Sequence, residues 1–179
     1  MVVVPSGKFT MGEKEQRHEV TIAGPFAVSQ FSVTFDLWDA CVAGGGCDNY
    51  RPRDERRGRG MCPVIYVSWQ DARTYVAWLN RMAGTSSYRL LSEAEFEYAA
   101  RAGSTTQYPW GDDIGENNAN CDGCKSEWDK KQTAPVGSFA ANSFAFSTCG
   151  AMSGSGSRTA GTRITRGRRK TAPREYGVR

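Results

Sequence analysis

The feature that most constrains this chain is a change of character near residue 146. Before it, apolar residues recur with the periods of strands and helices; after it they do not. Residues 147–179 carry eight bases (Arg158, Arg163, Arg166, Arg168, Arg169, Lys170, Arg174 and Arg179) against one acid, Glu175, a net charge of +7. The preceding 146 residues hold 15 bases and 18 acids, a net of −3. The tail is rich in Gly, Ser, Thr and Arg, the composition of chain that cannot bury enough apolar surface to order itself. A packed core must therefore come from residues 1–146, one domain by length and large enough to hold a core without staples. The apolar runs are short, Val2–Pro5 and Pro63–Val67 among them, and none approaches the ~20 residues that cross a bilayer. The N-terminus lacks the charged, apolar and small-residue regions of a signal peptide. The default expectation is thus a cytoplasmic protein that makes no membrane contact.

Residues 1–31 alternate as β structure does. Val2, Val4, Phe9 and Met11 flank a turn at Pro5-Ser6-Gly7, and Val20, Ile22, Phe26 and Val28 continue the alternation. A first helix is predicted over 34–43, with Thr34 as N-cap, Asp36 in the positive first turn and Gly44-Gly45-Gly46 as the stop. A charged loop follows at 48–62, then a short buried strand at Pro63–Val67. Ser68 and Asp71 form a capping box for a second helix. Along it Ala72, Tyr75, Val76, Leu79 and Met82 take the spacing of one face, and Gly84 ends it. Ser92 and Glu95 form a second capping box, with Leu91 and Phe96 as a hydrophobic staple, which predicts a helix at 93–102. From 103 to 139 the chain reads as loop, with a tight turn at Tyr108–Gly111 and a short strand at Pro135–Phe139. Trp69, Tyr75, Trp78, Tyr98 and Trp110 are expected in the core.

Six cysteines fall into two close pairs, Cys41/Cys47 and Cys121/Cys124, with Cys62 and Cys149 apart. The pairs fit disulfides in an oxidising compartment, and thiols or a metal site in the cytosol. Cys121-Asp122-Gly123-Cys124 is also half of a zinc motif, but only the distant Cys41 and Cys47 would complete four ligands. A local disulfide or two free thiols fits it better.

In order along the chain stand Phe9–Gly12, His18–Val20, Val33-Thr34, Val67–Trp69, Tyr88–Arg101, Tyr108–Gly111, Asn118–Asn120 and Thr133–Phe139. This series resembles the formylglycine-generating-enzyme (sulfatase-modifying factor) family over residues 2–144. The resemblance implies an α+β fold, a variant of the C-type lectin fold that is loop-rich, with about three helices and short mixed strands. Active members oxidise a sulfatase cysteine to formylglycine with O₂ and copper held by two cysteines, so the implied partner is a protein or peptide substrate. Relatives include iron-dependent sulfoxide synthases and binding modules without catalysis. The resemblance also implies calcium. Its ligands map to the Asn120 side chain, the Cys121 carbonyl, the Asp129 carboxylate (Glu127 being the alternative acid) and the Lys131 carbonyl, an oxygen-only set that suits a hard cation. The competing reading is that Asn120 and Asp129 simply cap turns.

The residues of two family chemistries are not found. A three-histidine iron site is impossible with one histidine, His18. The copper cysteines belong to a stretch beyond residue 146, where only Cys149 occurs, so neither catalytic nor copper-binding residues are assigned. After Asn142-Ser143-Phe144 the family continues with a Gly-Asn-Val-Trp-Glu-Trp motif. Residues Phe146–Thr159 permit codons that, read from the third base, spell Leu-Asn-Met-Trp-Gly-Asn-Val-Trp-Glu-Trp-Val-Glu-Asp. That predicts a frameshift near residue 145, an incomplete domain over 1–146 and an out-of-frame tail over 147–179. Such a chain is expected to be inactive and open on one side of its core. The alternatives are a non-catalytic calcium-stabilised binding module, and, ranked last, nucleic-acid binding through the basic tail.

Overall fold

Alternation at the N-terminus becomes four strands, β1 (Val2–Val4), β2 (Gly7–Met11), β3 (His18–Ile22) and β4 (Phe26–Val28). The computed structural model describes residues 1–147 and the backbone of 164–166. β2 and β3 form an antiparallel hairpin in which Gly7 faces Ile22 and Met11 faces His18. β1 pairs with β4, Val2 against Val28 and Val4 against Phe26. With period-two alternation, this register sends Val4, Ile22, Phe26 and Val28 to one apolar layer, where all four are buried.

The three predicted helices are present. α1 spans Phe35–Ala43, with the Thr34 hydroxyl accepting from Leu37 N–H at 3.3 Å. α2 spans Trp69–Met82, and its capping box is closed: Ser68 Oγ accepts from Asp71 N–H, while Ser68 N–H donates to the Asp71 carboxylate at 2.7 Å. α3 spans Glu93–Arg101 with the equivalent box between Ser92 and Glu95. Each cap satisfies donors that the helix itself cannot, worth about 1 kcal/mol. Between α2 and α3 lies β5 (Tyr88–Leu90), which joins a four-stranded sheet of order β1-β4-β6-β5. All its pairings are antiparallel rather than mixed.

The strand between β4 and β5 is β6, Ile164–Arg166. It lies inside the basic segment expected to hold no regular element. Ladder hydrogen bonds use only backbone groups, so a three-residue pairing makes little demand on sequence. The rest of the tail, Cys149 included, lies outside the described residues.

Two apolar clusters form the core. One joins α1, α2 and the segment after the charged loop: Val33, Phe35, Trp38, Val42, Val64, Ile65 and Tyr75. The other packs α3 against the N-terminal strands: Val4, Ile22, Phe26, Val28, Tyr98, Ala99, Ala100 and Phe146. Leu91 and Phe96, the predicted staple, both pack on the second cluster. Trp38 is fully buried, stacks on Tyr75 with centroids 5.7 Å apart and donates Nε1–H to the Tyr50 carbonyl at 2.9 Å. Burial pushes the Tyr75 hydroxyl up to about 12, because the phenolate would lose its water.

Several expectations are corrected. Pro63–Val67 is no strand: a single bridge joins Thr34 to Pro63, and Tyr66 takes a left-handed φ of +58° that breaks any extended run. Pro135–Phe139 is a turn, with Ser138 N–H and Oγ both donating to the Pro135 carbonyl. Trp69 is 59% exposed and Trp110 39%, so neither is core. Trp69 stands at the first position of α2 beneath the Arg73 guanidinium, 4.8 Å from its ring. Met82 also faces solvent, since α2 ends one turn beyond its packed stretch.

Candidate functional site

Residues 103–147 contain no helix or strand, yet they are tied to the framework at defined points. Tyr108 and Gly111 exchange backbone hydrogen bonds across the Pro109-Trp110 turn, and the Tyr108 and Trp110 rings stack. Trp110 Nε1–H donates to the Ile114 carbonyl at 3.2 Å. Thr133 donates both N–H and Oγ–H to the Arg57 carbonyl, and Val136 N–H donates to the Met61 carbonyl. The Asn142 side chain closes the end of α3: Nδ2 donates to the Ala99 and Ala100 carbonyls at 2.7 and 2.9 Å. Its Oδ1 accepts from Phe144 and Phe146 N–H at 3.0 and 3.1 Å. Phe146 is thereby set edge-on against Phe96 in the core.

All four predicted calcium ligands lie in the loop 117–132. Ser126 links two of them, since its Oγ donates to Asn120 Oδ1 at 3.0 Å and its carbonyl accepts from Asp129 N–H at 3.0 Å. Asn120 Nδ2 donates to the Gln132 carbonyl, which closes the loop base. The half-buried Asp129 carboxylate turns inward and accepts from Gly123 and Lys125 N–H. The Cys121 carbonyl accepts from Cys124 N–H at 3.3 Å, and the Lys131 carbonyl accepts no hydrogen bond among the described residues. Turn capping by Asn120 and Asp129 is therefore present. It leaves lone pairs over, because an amide oxygen has two and a carboxylate about four. Glu116 and Asp122 are engaged by Lys125 and Lys130, whose ammonium groups are held above their usual range first by those hydrogen bonds. Glu127 is exposed, so Asp129 is the acid aimed into the loop. Oxygen is the only donor type offered, which fits a hard cation. Among the described residues no three His, Cys, Asp or Glu side chains gather at one point.

The cysteines divide by location. Cys41 and Cys47 form a disulfide at the end of α1, and Cys121 and Cys124 form one inside the loop. A zinc site on Cys121 and Cys124 is thereby replaced by the local bond. Cys62 is the free thiol among the described residues. It is buried, and its Sγ–H donates to the Thr133 carbonyl at 3.6 Å. Gly58 lies over it; a Cβ there would come within 2.8 Å of the sulfur. A two-thiolate copper site does not fit this set, because four sulfurs are bonded to each other and the fifth is sealed and alone. His18 opens β3 at the surface, with Nδ1 bonded to the Gln16 carbonyl at 2.9 Å.

Sequence reasoning did not single out Asn142 as a cap, the Thr133–Arg57 tie or Trp38. The first two were visible only as letters in a motif. Trp38 carried a signal, since it sits three residues before Cys41 on the inward face of α1.

The sulfatase-modifying factor enzyme 1-like domain model matches residues 1–154. The formylglycine-generating enzyme of Streptomyces coelicolor is 43% identical over 63 residues, covering 35% of this chain and 18% of that protein. The inactive C-alpha-formylglycine-generating enzyme 2 of Bos taurus is 46% identical over 59 residues, covering 32% of this chain and 17% of that protein. The matched stretches thus span less than a fifth of these curated relatives. Among solved structures, PvdO from Pseudomonas aeruginosa superposes with a TM-score of 0.68 at 35% identity, covering 80% of this chain and 64% of PvdO. With most of its length matched by one domain model and its fold shared with a solved relative, the chain belongs to the sulfatase-modifying-factor (formylglycine-generating-enzyme) family.

Proposed function

We propose that this chain is a sulfatase-modifying-factor domain that receives a protein or peptide segment but, as encoded, does not oxidise a cysteine in it. The observation that carries this reading is the cysteine set. Copper-dependent oxidation in the family requires two cysteine thiolates at one point. Of the five described cysteines, four are paired locally and Cys62 is sealed beneath Gly58 and Thr133. The similarity to both active and inactive formylglycine-generating enzymes is compatible with a domain of either kind. A reading-frame change near residue 145 would supply the reason the pair is missing, since the residues after Phe144 permit codons that spell the family motif out of frame. Calcium held by Asn120, Cys121, Asp129 and Lys131 belongs to the same proposal. It would brace the loop 117–132 and supply no chemistry to a substrate.

The test is direct. The 179-residue chain, loaded with copper(I) in air, is incubated with a cysteine-containing sulfatase peptide and a thiol reductant that supplies the two further electrons O₂ accepts. Aldehyde is then captured with a hydrazide and read by mass spectrometry. No aldehyde is expected from this chain. A version re-framed by one nucleotide near codon 145, and extended through the following sequence, is expected to yield it. Aldehyde from the 179-residue chain itself would overturn the proposal.

A further inference from the structure

The loop before the first apolar cluster concentrates charge that the fold does not use. Residues 51–59 hold five arginines and two acids, Asp54 and Glu55. Arg59 is structural. Its guanidinium lies 4.5 Å over the Phe35 ring, bonds both Asp39 oxygens at 2.9 and 2.7 Å and reaches the Pro52 carbonyl at 3.2 Å. Arg51, Arg53, Arg56 and Arg57 are all exposed and have no ion-pair partner among the described residues.

The loop is nevertheless tied to the framework at defined points. Pro52 is fully buried at its base. Arg57 N–H donates to the Asp54 carbonyl at 2.8 Å, and the Arg57 carbonyl is bound twice by Thr133. Glu55 and Arg56 sit at φ of +50° and +59°, a conformation that costs energy in non-glycine residues and persists only when the surroundings impose it. Arg51, Arg53 and Arg56 line one shallow groove of ≈ 420 Å³ with Asp54 and Glu55 between them. A fixed backbone spares the cost of ordering the loop on binding, although each arginine side chain still loses rotamer freedom, and the planar guanidinium forks match carboxylates.

We propose that this groove docks an acidic segment of a protein partner, whose Asp or Glu carboxylates pair with Arg51, Arg53 and Arg56. The interleaved Asp54 and Glu55 would repel the unbroken charge of a nucleic-acid backbone. A peptide can place amide N–H groups or a lysine against them instead. The groove is formed by a different loop from the calcium site, and the proposal does not depend on whether the chain oxidises anything.

The experiment uses the full chain and fluorescence anisotropy at low ionic strength. The probe is a labelled peptide of alternating Glu and Gly, run beside a labelled single-stranded oligonucleotide. The variants are Arg51→Gln/Arg53→Gln/Arg56→Gln, which touches no pinned contact, and Arg168→Gln/Arg169→Gln/Lys170→Gln, which removes tail charge of equal size. Circular dichroism checks that both fold. The peptide is expected to bind, the groove variant to bind it about tenfold more weakly, since exposed ion pairs contribute little each, and the tail variant to bind as the parent does. Absent peptide binding overturns the proposal, as does a groove variant that binds like the parent. Loss in the tail variant alone moves the site to the tail, and displacement of the peptide by the oligonucleotide assigns the groove to nucleic acid.

Discussion

Glu95→Ala removes the side chain that anchors the N-terminus of α3 to Ser92 and Arg89. Its carboxylate accepts from Ser92 N–H at 2.9 Å, Ser92 Oγ at 3.1 Å, and Arg89 Nη1 and Nη2 at 2.6 and 2.5 Å. Loss of the cap costs about 1 kcal/mol. The forked bond to Arg89 is charge-assisted and partly buried, the two side chains being 31% and 16% exposed. Hydrogen bonds of that kind contribute about 1.5–3 kcal/mol, so the total is about 3 kcal/mol. Burial pushes the Glu95 carboxyl up, but the Arg89 guanidinium and the Ser92 N–H outweigh it and hold it below its usual 4.5. A carboxylate lowered in the folded state stabilises above the unfolded value and loses that contribution as pH falls through the folded one. The variant should therefore trail the parent by about 3 kcal/mol in urea unfolding at pH 7, followed by circular dichroism, and the gap should narrow below pH 4.5. Glu95→Gln keeps an acceptor for Ser92 and should lose about half as much. A gap that does not change with pH, or one under ~0.5 kcal/mol, would show that the fork with Arg89 contributes nothing net.

Asn142→Ala should destabilise the chain by about 2–3 kcal/mol in the same assay, because two carbonyls of α3 and two N–H groups of the following turn lose their partner together; a loss under ~0.5 kcal/mol would mean that water replaces it freely. Calcium at millimolar concentration should raise the melting temperature of the parent and not of Asp129→Asn. Equal response in both would reduce Asn120 and Asp129 to turn caps.

The helices and N-terminal strands were legible because their signals are local. A capping box needs four residues and a hairpin register needs alternation, and both are written in consecutive letters. The misreadings share the opposite cause. Pro63–Val67 has the composition of a strand, but Tyr66 turns out of the extended region and its carbonyl accepts from the Tyr50 hydroxyl at 2.8 Å, a partner 16 residues away. β5 was missed because three residues, Tyr88–Leu90, show no periodicity of their own, and Asn80 of α2 fixes where they begin by bonding both Tyr88 N–H and its carbonyl. Gly44-Gly45-Gly46 was read only as a helix stop. It also lies beneath the Trp78 indole, where a Cβ on Gly46 would sit 2.5 Å from the ring.

The same contacts bear on what the family motifs mean. Arg89 and Glu95 fix α3 to the strand before it. Glu97 accepts from Gly12 N–H at 3.1 Å, 85 residues earlier in the chain, and pairs with Arg101 at 2.8 Å. Thr133 and Val136 tie the long loop to the charged one, and Asn142 closes α3. Each of these motif residues is spent on framework, and none of them presents a nucleophile, a base or a pair of thiolates to solvent. The letters that identify the family thus encode how a loop-rich chain is stitched together, and they would be retained by an enzyme and by a binding module alike. That is why fold and family can be read from this sequence while activity cannot. In the function proposed above, activity would turn on two cysteines and the segment that carries them, which the stitching residues neither require nor predict.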